Sequence, residues 1–285
     1  MKIWVIGSNG MLGSSLLNLC SKKGIAAVGA SHKEADITDV AQLIEKSREI
    51  RPSHIVNCAA YTDVDGAEKN REQIFAVNAQ GPENIAIVAK SAGAQLVHIS
   101  TDYVFDGQGE RPYREEDECH PLNVYGQSKR EGELRVLDVL PTACILRTSW
   151  IFGPKGKNFI SSVVKWLQEK DELQVVADQY GKPTYCNDLA EAILKLLDVE
   201  GIVHFANENP RSRYQIACDV MEMMKMRGIP IKCEKITPVL TAQFPTSAVR
   251  PAYSVLDTTK YFHLTNQRPR PWGEAINELI NAFKI

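Results

Sequence analysis

The stretch Met1-Lys2-Ile3-Trp4-Val5-Ile6-Gly7-Ser8-Asn9-Gly10-Met11-Leu12-Gly13 decides how the chain is read. The apolar run from Ile3 to Ile6 predicts a buried strand. It breaks into a glycine turn and re-enters an apolar helical pattern at Leu12, Leu16, Leu17 and Leu19. Such a unit aims the unpaired N–H groups of the first helical turn at one point, which suits a pyrophosphate. A Cβ would block that approach, so Gly7, Gly10 and Gly13 are expected cofactor contacts. The alternative is that the glycines only let helix and strand pack closely. The spacing is G-x-x-G-x-x-G; its place between strand and helix at the start of the chain is what gives it weight.

With 285 residues the chain can bury a sizeable core, as one large domain or as one domain carrying a smaller lobe. A formal net charge of −2 offers no basic field, so a nucleic-acid partner is not expected. The cysteines (Cys20, Cys58, Cys119, Cys144, Cys186, Cys218, Cys233) are odd in number and form no C-x-x-C pair. Reduced, packed thiols are expected, with neither a disulfide framework nor a zinc site. Met1-Lys2 leads straight into the first strand, leaving no room for a signal peptide, and no apolar run approaches the ~18 residues of a membrane span. A soluble, cytoplasmic protein without a membrane partner is the expectation.

From there the chain alternates. Strands are predicted at Ile25–Ala30, His54–Asn57, Gln95–Ser100 and Ala143–Arg147, and helices at Val40–Ile50, Glu72–Ala92 (ended by Gly93) and Pro121–Leu140. Strands joined by helical crossovers make a parallel sheet whose ligand crevice lies at the carboxyl ends of the strands. The fold class is therefore α/β, a Rossmann-like doubly wound parallel sheet.

The residues with chemistry fall at those strand ends. After the second strand, Ser31-His32-Lys33 stands where NAD-binding folds often carry an acidic ribose clamp, which favours the extra phosphate of NADPH and leaves NADH possible. Asp36 could accept from an adenine amino group or simply cap a local turn. After the third strand, Asn57-Cys58-Ala59-Ala60-Tyr61-Thr62 is small enough for a flat ligand to lie on. The fourth ends in Ser100-Thr101-Asp102-Tyr103-Val104-Phe105-Asp106-Gly107, dense in hydroxyls and carboxylates. Tyr125-Gly126-Gln127-Ser128-Lys129 then places a phenol and an ammonium at i and i+4 of one helix face, where the cation can lower a phenol pKa of about 10.

Together these motifs resemble the extended short-chain dehydrogenase/reductase family, most closely its dTDP-4-dehydrorhamnose reductase branch. The likeness runs through Gly7–Gly13, Asn57–Thr62, Val64-Asp65-Gly66-Ala67-Glu68, Ser100–Gly107, Pro121–Lys129, Arg147-Thr148-Ser149-Trp150, Asn158-Phe159, Asp178–Thr184 and Arg250-Pro251. The resemblance implies that Tyr125 donates a proton, that Lys129 orients the nicotinamide ribose and tunes the phenol, and that Thr101 completes the site. It places Gly10, Met11, Leu12, Asp36, Ile37, Ala60, Tyr61 and Thr62 on the cofactor, and Asp102 and Trp150 on the deoxysugar. Arg250 is a candidate for the substrate's diphosphate, with a salt bridge as the alternative.

The implied reaction is NAD(P)H-dependent reduction of the C4 ketone of dTDP-4-dehydro-L-rhamnose for surface polysaccharide. The alternative is a non-catalytic NADP-binding relative, the regulatory beta subunit of methionine adenosyltransferase, which Tyr113-Arg114-Glu115-Glu116-Asp117 also resembles.

Residues 1–150 are thus expected to bind the dinucleotide. Residues 151–285, richer in Pro/Gly loops, should form mainly a substrate-binding lobe with segments returning to the sheet. Met221, Met223, Met224 and Met226 read as core filling, and Trp272–Phe283 as a closing amphipathic helix. A homodimer is possible. The magnesium-bridged dimer described for some relatives is doubtful, because the first helix begins Ser14-Ser15 without a carboxylate.

Overall fold

The computed structural model describes residues 1–282. A six-stranded, all-parallel sheet organises the molecule. It comprises β1 (Ile3–Ile6), β2 (Ala27–Ala30), β3 (His54–Asn57), β4 (Gln95–Thr101), β5 (Cys144–Thr148) and β6 (Gly201–His204), ordered β6-β5-β4-β3-β1-β2. Side chains alternate across β1, so Ile3 and Val5 enter one core while Trp4 and Ile6 enter the other. The first core is closed by α1 (Met11–Lys22). The second is closed by α2 (Val40–Ile50), α3 (Gly81–Ala92) and α4 (Val124–Val139). Strand order reverses between β1 and β3, and that switch point opens a crevice at their carboxyl ends.

The later part of the chain builds a separate core from α5 (Phe159–Glu169), α7 (Arg213–Met226) and α8 (Trp272–Ala282), with the parallel pair Glu172–Val176 and Lys235–Val239. Between them α6 (Cys186–Lys195) packs on α1, and β6 extends the main sheet beside β5. No helix among the described residues is long and apolar enough to cross a membrane.

Three elements differ from expectation for local reasons. The stretch expected as one helix over Glu72–Ala92 is helical at Arg71–Phe75, widens into a π turn at Ala76–Gln80, and resumes as α3. Pro82 cannot donate to the turn before it, and the wide turn frees Asn78 to grip the Tyr61 backbone from both sides, at 2.8 and 3.0 Å. Helix α4 starts at Val124 because Asn123 caps it, accepting from the Gly126 N–H at 2.8 Å. In the run expected as core filling, Met221 and Met224 are core, Met223 packs beside them, and Met226 is instead 72% exposed on the last turn of α7. Phe283, expected to end α8, lies outside the described residues.

Candidate active site

At the switch point lies a cavity of about 690 Å³ lined by Gly7, Asn9 and Gly10 after β1, Ser31 and His32 after β2, and Cys58 to Tyr61 after β3. That volume suits a small-molecule ligand. Both explanations of the glycines hold. A Cβ on Gly13 would lie 2.3 Å from the Gly7 carbonyl oxygen, and one on Gly7 (φ +79°) 2.7 Å from the Ala59 nitrogen, so packing requires glycine at both, and Gly7 lines the cavity as well. Gly10 lines the cavity and is the N-cap of α1, whose ladder begins only at Ser14 N–H to Gly10 O. The N–H groups of Met11, Leu12 and Gly13 therefore have no partner within the helix, and no acidic side chain stands in that turn. Leu12's side chain is core and Met11's packs on the separate core built by the later part of the chain, which leaves their backbone to serve a ligand. A glycine-walled crevice ending on a carboxylate-free helix terminus fits a dinucleotide.

Beyond the pyrophosphate end, Ile37 and Asp36 line the cavity. One Asp36 oxygen accepts from the Thr38 N–H and hydroxyl, at 2.9 and 2.8 Å, so the local turn is formed while the second oxygen takes no hydrogen bond from it. Lys33 is exposed and absent from the lining, and Ser31's N–H and hydroxyl both donate to Glu34, at 2.8 and 2.7 Å. Ala60 and Tyr61 line the cavity; Thr62 is exposed and does not.

At the inner end, Thr101 finishes β4. Its hydroxyl accepts from the Tyr103 N–H at 3.2 Å and donates to Asp102 at 3.1 Å. Gly126 lets α4 press on this turn, since a Cβ there would meet the Tyr103 carbonyl oxygen at 2.2 Å. Glu68 fixes the same helix start by accepting from the Val124 N–H at 2.9 Å. Tyr125 is thereby delivered to Thr101. Burial drives the phenol's pKa above its usual value, against the pull of the Thr101 hydroxyl. It is therefore a neutral acid.

Lys129 does not face the phenol as expected. Its Nζ donates to the Ile99 carbonyl at 2.6 Å and lies 3.4 Å from His98 Nε2, because in the buried interior those are the polar groups within its reach. Burial lowers its pKa to about 8, and its charge does not contribute to the shift on Tyr125.

A chain that joins a dinucleotide crevice to a Thr-Tyr pair has close relatives. The family described as RmlD substrate binding domain matches residues 1–285. The dTDP-4-dehydrorhamnose reductase of Mycobacterium tuberculosis is 40% identical over 99% of this chain and 93% of its own length. The chain belongs to the dTDP-4-dehydrorhamnose reductase family.

Another relative, the spore coat polysaccharide biosynthesis protein SpsK of Bacillus subtilis, is 38% identical over 98% of this chain and 96% of its own. The solved dTDP-4-dehydrorhamnose reductase of Bacillus anthracis, in complex with NADP, is 35% identical, covers 99% of this chain and 100% of its own, and superposes with a TM-score of 0.92.

The remaining family motifs have visible work. Arg147, from Arg147-Thr148-Ser149-Trp150, grips buried Glu133 at 2.9 and 2.8 Å beneath the site. Trp150 adopts φ +47° and lays its indole on Gly181, where a Cβ would come within 2.6 Å of the ring. Arg250 holds both oxygens of Asp65, at 2.6 and 3.2 Å, and Asp65 also accepts from the Ala248 N–H; this is the salt-bridge alternative.

Three residues escaped the sequence reading. Asn78 latches the Tyr61 loop, His98 sits on Lys129, and Arg213 stacks 4.3 Å over Trp150 and 5.0 Å over Phe159. Arg213 has no carboxylate within ion-pair distance among the described residues; its Nε donates to the Gln179 amide at 3.3 Å.

Asp102 is buried, and one of its oxygens has no hydrogen-bond partner among the described residues. Burial pushes it up to about 6, against the neighbouring Ser254 and Thr101 hydroxyls. Among the described residues no group of three or more His, Cys, Asp or Glu could hold a metal ion.

Proposed function

We propose that this chain is an NADPH-dependent oxidoreductase that reduces the C4 ketone of dTDP-4-dehydro-L-rhamnose to dTDP-L-rhamnose for surface polysaccharide. The observation that carries the reading is the neutral Tyr125 phenol on the Thr101 hydroxyl, beside a crevice that fits a dinucleotide. The names of the relatives support the reductase over the regulatory-subunit alternative, and the NADP in the Bacillus anthracis relative supports the cofactor.

In this reading residues 1–150 hold the dinucleotide and residues 151–285 mainly the nucleotide-sugar. The first turn of α1 binds the pyrophosphate through the backbone of Gly10, Met11 and Leu12. Gly7 and Gly13 keep that turn tight, while Asp36, Ile37, Ala60 and Tyr61 flank the adenosine side. Thr62, exposed and outside the cavity lining, would meet the cofactor only at the rim of the crevice.

The bound cofactor supplies a hydride to the carbonyl carbon. The oxygen then gains charge, and Tyr125 gives it a proton while Thr101 orients the phenol. Lys129 holds the ribose. Asp102 and Trp150 meet the sugar, with the free Asp102 oxygen as the acceptor for a hydroxyl. A cytoplasmic enzyme follows from a nucleotide-sugar substrate.

The test follows oxidation of NADPH and of NADH with enzymatically prepared dTDP-4-dehydro-L-rhamnose. Turnover is expected, with higher kcat/KM for NADPH. Removing only the phenolic oxygen (Tyr125→Phe) should lower kcat by about 10²–10⁴-fold with cofactor affinity little changed, as for loss of a general acid. Binding of NADPH without turnover would sink the reading and favour a regulatory protein.

A further inference from the structure

Asn57 and His98 are register partners on β3 and β4, and both are buried. The Asn57 side-chain oxygen accepts from the Ala59 N–H at 3.0 Å, which settles the orientation of the amide: an NH₂ group could not face that donor. The amide nitrogen therefore points at His98 Nδ1, 2.9 Å away, and Nδ1 must accept. Burial and the charge of Lys129 hold the imidazole's pKa well below its usual value, so the ring is neutral and carries one proton. That proton sits on Nε2.

Nε2 faces Lys129 Nζ at 3.4 Å. An ammonium has no lone pair, so against an Nε2–H it sets donor on donor. The neutral amine can accept from Nε2–H and still donate to the Ile99 carbonyl at 2.6 Å.

We propose that His98, locked as the Nε2–H tautomer by Asn57, is a positioning residue that presents a donor to Lys129 and so makes Lys129 a proton-exchanging group rather than a permanent cation. The consequence for turnover rests on the reductase reading above, but the protonation state is a property of the free protein.

The other groups that bear on Lys129 do not reverse this. Glu133, one turn further along α4, favours the ammonium, but its oxygens are engaged by Ser100, Arg130 and Arg147. Cys58, at the end of β3, is kept a thiol by burial, its pKa pushed up to about 12. Tyr125, one turn earlier on α4, is neutral. The balance brings Lys129 down to about 8, with burial the largest cause.

The experiment is an NMR titration of the full-length protein labelled with ¹³C at lysine Cε, the Lys129 signal being assigned by its loss in Lys129→Met. In the wild type its midpoint should lie at or below about 8, the value that burial, Glu133 and Cys58 set before the donor-on-donor contact with His98 is added. In His98→Gln the amide can turn its oxygen to Nζ. In Asn57→Asp the carboxylate keeps the Ala59 N–H and draws the ring proton to Nδ1, leaving Nε2 as an acceptor. Each variant should raise the midpoint by about one pH unit or more, a tenfold gain in proton affinity, and shift the alkaline limb of kcat with it. A His98 that merely filled space would leave the midpoint of His98→Gln where it was; Asn57→Asp also adds a buried carboxylate that raises the midpoint by charge alone, so the His98→Gln arm decides. A wild-type midpoint at the ordinary lysine value of about 10.4, or an unmoved midpoint in His98→Gln, would overturn the proposal. Absence of turnover with the nucleotide-sugar would sink the reductase reading and leave the NMR result to judge His98.

Discussion

Two buried carboxylates, Glu133 in the floor beneath the site and Asp102 at its inner wall, have been given opposite surroundings. Glu133 takes bonds from Ser100, from Arg130 and from two nitrogens of Arg147, which together hold it below the usual carboxylate range although burial alone would raise it. Asp102 has only hydroxyls beside it, Ser254 and Thr101, the latter donating at 3.1 Å, and its second oxygen has no hydrogen-bond partner among the described residues; burial wins, and it rises to about 6. The floor is finished without a ligand. The wall is finished only by one, which is how a rigid scaffold and a receptive site are made from the same residue type.

Breaking the floor should have the largest effect on the fold. Glu133→Leu leaves the guanidinium of Arg147, 1% exposed, without its counter-charge. Removing one partner of a buried pair typically costs about 3–5 kcal/mol, so the urea midpoint should fall sharply. The double change Glu133→Leu with Arg147→Met should recover much of that loss. A single variant within 1 kcal/mol of wild type would mean that the pair is not what anchors α4 to β5.

Asp102→Asn tests the other half of the comparison, and its sign is opposite. The carboxyl is raised in the folded protein from its usual 3.8 to about 6. Between those values the folded chain keeps a proton that the unfolded chain has lost, so this group costs stability as pH rises through the window, and the full cost is present above about 6. The shift corresponds to at most about 3 kcal/mol. The wild type should therefore fall relative to Asp102→Asn between pH 4 and 6 in paired denaturation curves, while the variant binds nucleotide-sugar more weakly at neutral pH. Parallel curves across that window would show that the carboxylate is not strained by burial.

What could be read from the sequence divides along the same line. The cofactor end was legible because it is made by local means: a strand, a glycine turn and a helix contiguous in Ile3–Lys22, with roles set by backbone geometry. The inner end is made by residues far apart in the chain. Nothing local to Lys129 says that its nitrogen reaches the Ile99 carbonyl, or that Arg250 is spoken for by Asp65. Family likeness supplied Tyr125, Thr101 and Asp102 by position, yet not the surroundings that set their protonation. The π turn that aims Asn78 at Tyr61 was hidden too, although Gly81-Pro82 inside a helical pattern was a signal that the helix could not run through unchanged.

The arginines carry the comparison to its finest level. Arg250 spends both terminal nitrogens on the Asp65 carboxylate, whose side chain is 41% exposed. Arg213 rests on two aromatic faces and an amide and hydrogen-bonds the Tyr103 hydroxyl, so its charge is unmatched by any carboxylate within ion-pair distance among the described residues, and it acts on Asp102 through space. A diphosphate gains most from the guanidinium that has no anion to give up. We therefore expect Arg213→Gln to raise KM for the nucleotide-sugar by roughly ten- to a hundredfold, the worth of a charge-assisted hydrogen bond of about 1.5–3 kcal/mol, with kcat and fold little changed. Arg250→Gln should instead lower stability slightly, by about 1 kcal/mol or less once solvent screening of so exposed a partner is allowed for, and leave KM within a few-fold. Steady-state kinetics on the two variants, read beside their denaturation midpoints, decides it. If Arg250→Gln moves KM more than Arg213→Gln does, the Asp65 pair is a latch that opens for the substrate, and the division between finished and receptive groups does not extend to the cations.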